Sequence, residues 1–157
     1  MAAPLAPWQK PWLALAALAL LAGSPARAEE GKPDPAATRQ YAVASGLHGK
    51  KLYGPAARRW QQFIDAHPKD PRLANAYHHL GACQLQDGQP ARAAQTFRTL
   101  IEKFPRSEAR DAAHFNLGLA LYHVGLGSKK PDDLRSAARA FAEVPARFPK
   151  SFIRKMR

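Results

Sequence analysis

Residues 73–105 read LANAYHHLGACQLQDGQPARAAQTFRTLIEKFP. Tyr77, Leu80, Gly81 and Gln84 recur at steps of three and four, which places them on one face of a helix. Gly88 tolerates a positive φ and ends that helix. Pro90 suits the first turn of the next one, where its missing N–H is not needed. Ala93, Ala94, Phe97, Leu100, Ile101 and Phe104 then form a second buried stripe, and Pro105 stops it. The stretch predicts a helical hairpin.

The same phrase occurs on both sides of this stretch. Trp60, Phe97 and Phe141 are each followed eight residues later by proline, at Pro68, Pro105 and Pro149. Each aromatic is preceded at four residues by alanine: Ala56, Ala93 and Ala137. Twelve residues before the first two alanines stand Ala44 and Gly81. From Pro68 to Pro105 the spacing is 37 residues, and from Pro105 to Pro149 it is 44. Self-similarity at a fixed period indicates stacked repeats, each hairpin burying its apolar face against the next. The small residue lets paired helices approach, and the aromatic is expected to fill the gap toward the neighbouring repeat.

The first copy carries Val43 and Leu47 on its first helix and Ala56, Trp60, Phe63 and Ile64 on its second. It has Ala44 at the glycine position and no glycine in its turn. The third copy carries Leu117, Gly118, Leu121 and Tyr122, then Ala137, Phe141 and Val144. Its first helix is expected to end near Gly125. The seven extra residues, Leu126 to Asp132, read as a looser inter-helix loop, with Asp132 or Asp133 capping the helix that follows. Pro145 removes one backbone hydrogen bond and should kink or fray the last helix.

The chain of 157 residues suits one small domain, and a net charge of +12 with a pI near 10.4 gives it a basic surface. Such a surface favours anionic partners. The N-terminus reads differently from the rest. Lys10 precedes an apolar run, Trp12 to Ala22, shorter than the roughly 20 residues of a transmembrane helix. Ala26-Arg27-Ala28 follows and fits a secretory cleavage site, so residues 1–28 read as a signal peptide. Leu21-Ala22-Gly23 approaches a lipoprotein signal, but Ser24 stands where the lipid-bearing cysteine is required. The expectation is an exported protein, periplasmic or secreted, starting at Glu29 and without a stable membrane span after cleavage. Residues 29–36 read as a flexible linker, 37–73, 74–110 and 111–149 as three repeats, and 150–157 as a basic tail or the start of a missing repeat. An array without a polar cap at that end could also self-associate there. Cys83 is the only cysteine and lies in an apolar helical stretch, which predicts a small core residue.

These repeats resemble the tetratricopeptide family. Leu80-Gly81, Gly88, Ala93, Phe97 and Pro105 match the family's small, aromatic and proline positions in the second copy. Leu117-Gly118, Ala137, Phe141 and Pro149 match in the third, and Ala56 to Pro68 in the first. The family unit is about 34 residues, and the longer period here resembles the variant of bacterial envelope proteins, such as the lipoprotein of the outer-membrane barrel-assembly machine and the periplasmic partner of the Tol–Pal system. The resemblance implies an all-α, right-handed α-solenoid of about three hairpins that binds a protein or peptide along its first helices. The groove positions it implies are Tyr41, Ser45 and His48, then Asn75, His78, Leu85 and Gln86, then Phe115, Leu119, Tyr122 and His123. About half of Phe115, Leu119 and Tyr122 is expected to pack as core. Ser45, His79 and Ala112 replace the family's carboxylate-clamp residues, so recognition of an acidic C-terminus is not implied.

Catalytic and cofactor motifs do not emerge. The chain has no G-x-S-x-G, no H-E-x-x-H and no phosphate-cradling loop; Gly125 to Lys130 lacks the spacing of one. His78 and His79 are adjacent and point about 100° apart on a helix, which does not chelate one ion. Arg58, Arg59, Arg92 and Arg98 alternate with apolar residues along second helices and read as a solvated face rather than a nucleic-acid stripe. The sequence therefore predicts a non-enzymatic scaffold without metal, cofactor or nucleic acid. The alternatives it leaves open are a self-associating oligomerisation module and an accessory fragment of a longer protein.

Overall fold

The computed structural model describes residues 34–147, with the side chains of residues 34–144. The expected signal peptide, most of the linker and the basic tail lie outside the described residues. Six α-helices follow one another: α1 (Pro35–Gly49), α2 (Tyr53–Ala66), α3 (Leu73–Gln86), α4 (Pro90–Lys103), α5 (Ala109–Ser128) and α6 (Pro131–Arg147). Each packs chiefly on its neighbours in chain order, and α5 also touches α3. The result is the all-α succession of three hairpins, α1–α2, α3–α4 and α5–α6, that the repeats predict. Among the described residues no helix is long and apolar enough to cross a membrane.

Local sequence accounts for the ends. Asp34 caps α1, its Oδ1 accepting from the Ala36 amide at 3.1 Å, and Pro35 opens the helix. The helix thus starts two residues before Ala37, inside the stretch expected as linker. In the turn between α3 and α4, Gly88 has φ +74° and Pro90 is in the first turn of α4, as expected. The other two hairpin turns solve the same problem with lysine: Lys51 has φ 60° and Lys129 φ 55°. The left-handed residue is therefore a property of every hairpin turn here, whereas the glycine is not.

The third hairpin departs from the expected loop. Helix α5 has 20 residues against 14 in α3, and α6 has 17 against 14 in α4. Only Lys129 and Lys130 separate α5 from α6. Leu126 to Ser128 prolong α5, Pro131 and Asp132 open α6, and the insertion lengthens the hairpin instead of loosening its turn. Seven residues are close to two helical turns, so the insertion keeps the faces in register. Gly125 and Leu134 meet beyond Gly118 and Phe141, seven residues later in α5 and seven earlier in α6. Asp132 and Asp133 lie in the first turn of α6, not at its cap; Ser128 Oγ donates to Asp133 Oδ2 across the turn. Carboxylates there still favour the helix through its dipole. Helix α6 runs on past Pro145 to Arg147.

Two buried clusters form the core. One gathers Ala44, Ala56, Trp60, Phe63, Ile64, Ala76, Leu80 and Cys83, and the other Ala93, Phe97, Leu100, Ala113 and Ala120. Cys83 is wholly buried, and burial pushes its thiol up to about 11, which keeps it protonated. A Cβ on Gly81 would stand 2.7 Å from the Phe97 ring, and one on Gly118 2.7 Å from Phe141. The aromatic therefore seats on the glycine of its own hairpin, closing the helix pair from within. Trp60 also reaches the next hairpin, stacking on His79 at 5.0 Å. Val43 does not keep the apolar face of α1; it is 51% exposed, and Ala37 and Ala44 are the buried positions there.

Candidate functional site

The groove positions implied by the repeats fall on α1, α3 and α5. Ser45, Asn75, Gln86, Phe115, Tyr122 and His123 are exposed; Tyr41, His48, His78, Leu85 and Leu119 are half-buried. None of these residues is Asp, Glu, Lys or Arg, although the chain carries 24 basic and 12 acidic residues. These positions are therefore uncharged on a strongly basic molecule.

Half-burial has specific causes. Tyr41 lies edge-on to Trp60 at 4.7 Å and to Phe63 at 5.3 Å, and the Arg72 guanidinium sits 4.8 Å from its ring. Desolvation raises its hydroxyl pKa above the usual tyrosine value. Tyr41 is thus as much a packing residue as a surface one. Arg72 is held in turn by Asp70, whose Oδ2 accepts from Nη2 at 2.7 Å. Hydrogen bonding from Arg72 holds the Asp70 carboxyl below its ordinary range, against the cost of burial.

A row of polar rings crosses the three first helices. His48 of α1 meets His79 of α3 edge-on at 5.3 Å, His79 meets His78 at 5.6 Å, and Asn116 Nδ2 of α5 lies 3.2 Å from His78 Nε2. Burial, with His78 and His48 nearby, lowers the His79 pKa to about 4, so this imidazole stays neutral. The edge-on ring contacts join α1 to α3 through the neutral His79 ring. Among the described residues, no three His, Cys, Asp or Glu side chains converge as metal ligands.

The third hairpin supplies most of the exposed apolar surface. Phe115 is 46% exposed, Tyr122 43% and Leu126 52%. With half-buried Leu119 they lie at steps of four, three and four, one continuous stripe along α5. Phe115 leans on Phe141 at 5.7 Å yet keeps nearly half its surface open. Leu119 is the member of the trio that packs more deeply, so the expected division between core and surface runs through this stripe. Leu126 was hidden from sequence reasoning by the expected loop. The signal that would have found it is its eleven-residue distance from Phe115, which keeps helical phase across the insertion. Asn116 was missed for a different reason: it faces α3 rather than the open side, so only the stacking of hairpins gives it a role.

Apolar, aromatic and hydrogen-bonding groups without charge suit a peptide or helix laid along a groove. Tyr122, His123 and His48 offer an apolar body with a polar tip, which tolerates water at such a surface. No curated protein matches the chain. The family model of the tetratricopeptide repeat matches residues 75–107, which span α3 and α4. The second hairpin is thus a tetratricopeptide repeat, a motif that is in general a protein-binding module and typically non-catalytic.

Proposed function

We propose that this chain is an exported, non-enzymatic scaffold that holds a protein or peptide partner against its first-helix face in the bacterial envelope. The observation that carries the proposal is the stripe of exposed Phe115, Tyr122 and Leu126 with half-buried Leu119 along α5, on a first helix like the uncharged positions Asn75, Gln86, Ser45 and His48. Solvent-exposed aromatic and aliphatic groups aligned on one helix are more than scattered surface hydrophobes. The export half of the reading is supported by the apolar run and the Ala26-Arg27-Ala28 site, and the envelope half by the 37-residue period.

The partner reading is tested by cross-linking capture from envelope extract with the wild-type chain and with Phe115→Ser/Tyr122→Ser. Both substituted side chains keep nearly half their surface open, so the chain should stay folded, checked by its melting temperature, while capture is lost. Equal capture by the variant sinks the groove assignment. The export reading is tested by sequencing the N-terminus of the protein expressed in a Gram-negative host: an N-terminus at Glu29 supports cleavage, and retention of Met1 overturns it.

A further inference from the structure

A crevice of about 360 Å³ opens between α4 and α6 above α5, away from the positions assigned to the groove. This volume lies at the lower end of the range for ligand sites, about 300–1,000 Å³. Its floor is apolar: Ile101 of α4, Leu117 and Leu121 of α5, and Ala140 of α6. Its rim is charged, with Arg98 and Glu102 on α4 facing Arg139 and Glu143 on α6.

Two residues at the crevice differ from their counterparts one repeat earlier. At the equivalent step one repeat earlier, Thr96 Oγ1 donates to Gln84 Oε1 at 2.7 Å and bridges α4 to α3. Ile64 and Leu80 beside that bridge are buried. In the third repeat Leu121 stands where Gln84 stood, 37 residues on, and Ala140 where Thr96 stood, 44 on. The bridge is gone, a methyl replaces the threonine side chain, and Ile101 and Leu117 are left half-exposed.

The charges are ordered. On each helix the arginine precedes the glutamate by four residues. Helices α4 and α6 both pack antiparallel to α5, so they run the same way. Both guanidinium groups therefore lie toward one end of the crevice and both carboxylates toward the other. Arg-before-Glu is also the weaker order for a pair within a helix. Among the described residues no ion pair joins Arg98 to Glu102. Glu143 Oε2 lies 3.7 Å from Nδ1 of buried His114.

We propose that the crevice between α4 and α6 is a second binding site, and that it takes a helical peptide segment bearing a carboxylate and a cation around an aliphatic side chain. The carboxylate lies toward Arg98 and Arg139, the cation toward Glu102 and Glu143, and the aliphatic group on Leu117 and Leu121. Anchors at i, i+4 and i+7 of the peptide lie on one helical face and span the crevice in that order. The site is on a different face from the groove proposed above, so each reading stands or falls alone.

The test uses the whole chain and alanine-rich helical peptides with Glu, Leu and Lys at i, i+4 and i+7, titrated by calorimetry and by methyl NMR of the leucines. The expected result is saturable binding with shifts at Leu117 and Leu121. Peptides with Glu at both ends, Lys at both ends, or Ala for Leu should each bind about tenfold more weakly, since a charge-assisted contact or a buried aliphatic group is worth that much. Arg98→Glu/Arg139→Glu should turn the preference to the peptide with two lysines. Leu121→Gln/Ala140→Thr, which transplants the bridge of the second repeat, should abolish binding without lowering the melting temperature. Equal binding of all peptides, preference for two glutamates in the wild type, or undiminished binding to the bridged variant would each overturn the proposal.

Discussion

Gly118 and Phe141 stand so close that a Cβ on the glycine would lie 2.7 Å from the ring, and Gly125 repeats the approach to Leu134 seven residues further along. Two small-to-large contacts in heptad phase hold α5 and α6 as one long pair. The hairpin that carries most of the exposed apolar stripe is lengthened and closed by the same residues. The stripe is therefore mounted on a rigid element rather than on a loop.

The glycines should sort by space rather than by helix position. Gly118→Ala and Gly81→Ala gain about 1 kcal/mol of helix propensity but force a ring aside, which costs about 1–3 kcal/mol. Net destabilisation is expected at both, larger at Gly81 because Phe97 is fully buried while Phe141 is not. Gly46 has nothing within 4 Å of its virtual Cβ, so Gly46→Ala should stabilise by about 0.5–1 kcal/mol. Urea midpoints of the three variants decide the matter.

The hairpin turns make a complementary prediction. Lys51 and Lys129 hold a left-handed backbone that costs a residue with a side chain about 1 kcal/mol relative to glycine. Lys51→Gly and Lys129→Gly should each raise the melting temperature slightly. Gly88→Ala, at φ +74°, should lower it by a comparable amount. Differential scanning calorimetry reads all three.

Acid should weaken the fold through His79. Its folded pKa is lowered to about 4 from 6.5, so below pH 6.5 the unfolded chain binds the proton that the folded chain refuses. Stability contributed by keeping this ring neutral is present above pH 6.5 and lost as pH falls toward 4, at most on the order of 3 kcal/mol. His79→Phe should flatten the stability profile across that window while keeping the stack on Trp60. An unchanged profile would assign the acid sensitivity to another group.

Arg72 should matter more than its surface position suggests. It lies over Tyr41 and Phe63 of the first hairpin and pairs with nearly buried Asp70. Arg72→Ala strips a buried carboxylate of its partner and should cost about 2–3 kcal/mol. Asp70→Asn should cost less, since an amide can still accept from the Arg72 amide N–H. The difference between the two unfolding midpoints measures the stranded charge.

The hairpins were legible in the sequence because their determinants are local. Gly88 and Pro90 mark a turn by backbone preference, Ala93 and Phe97 mark a buried face by helical phase, and Pro105 breaks a helix wherever it occurs. The exposure of the proposed groove positions was legible only in part. Ser45, Asn75, Gln86, Phe115, Tyr122 and His123 are exposed on the first helices, but Tyr41 is drawn into the core by Trp60 and Phe63, contacts with residues 19 and 22 positions away. Leu126 was misread because Gly127, Ser128 and two lysines look like a loop by composition.

By itself, then, the sequence determined the number of hairpins and their order, since propensity and phase act within a few turns of chain, whereas the seating of Phe97 and Phe141 on the glycines of their own hairpins emerged only from the packed helices. The tertiary structure alone decided three further matters. It turned five of the seven extra residues into helix and left Lys129 and Lys130 as the turn, with Gly125 packed on Leu134 beside it. It joined His48, His79, His78 and Asn116 into one row, because stacking brings side chains from three helices together. It opened the crevice over Leu117 and Leu121, because a gap is the difference between side chains on three helices, and no single helix encodes it.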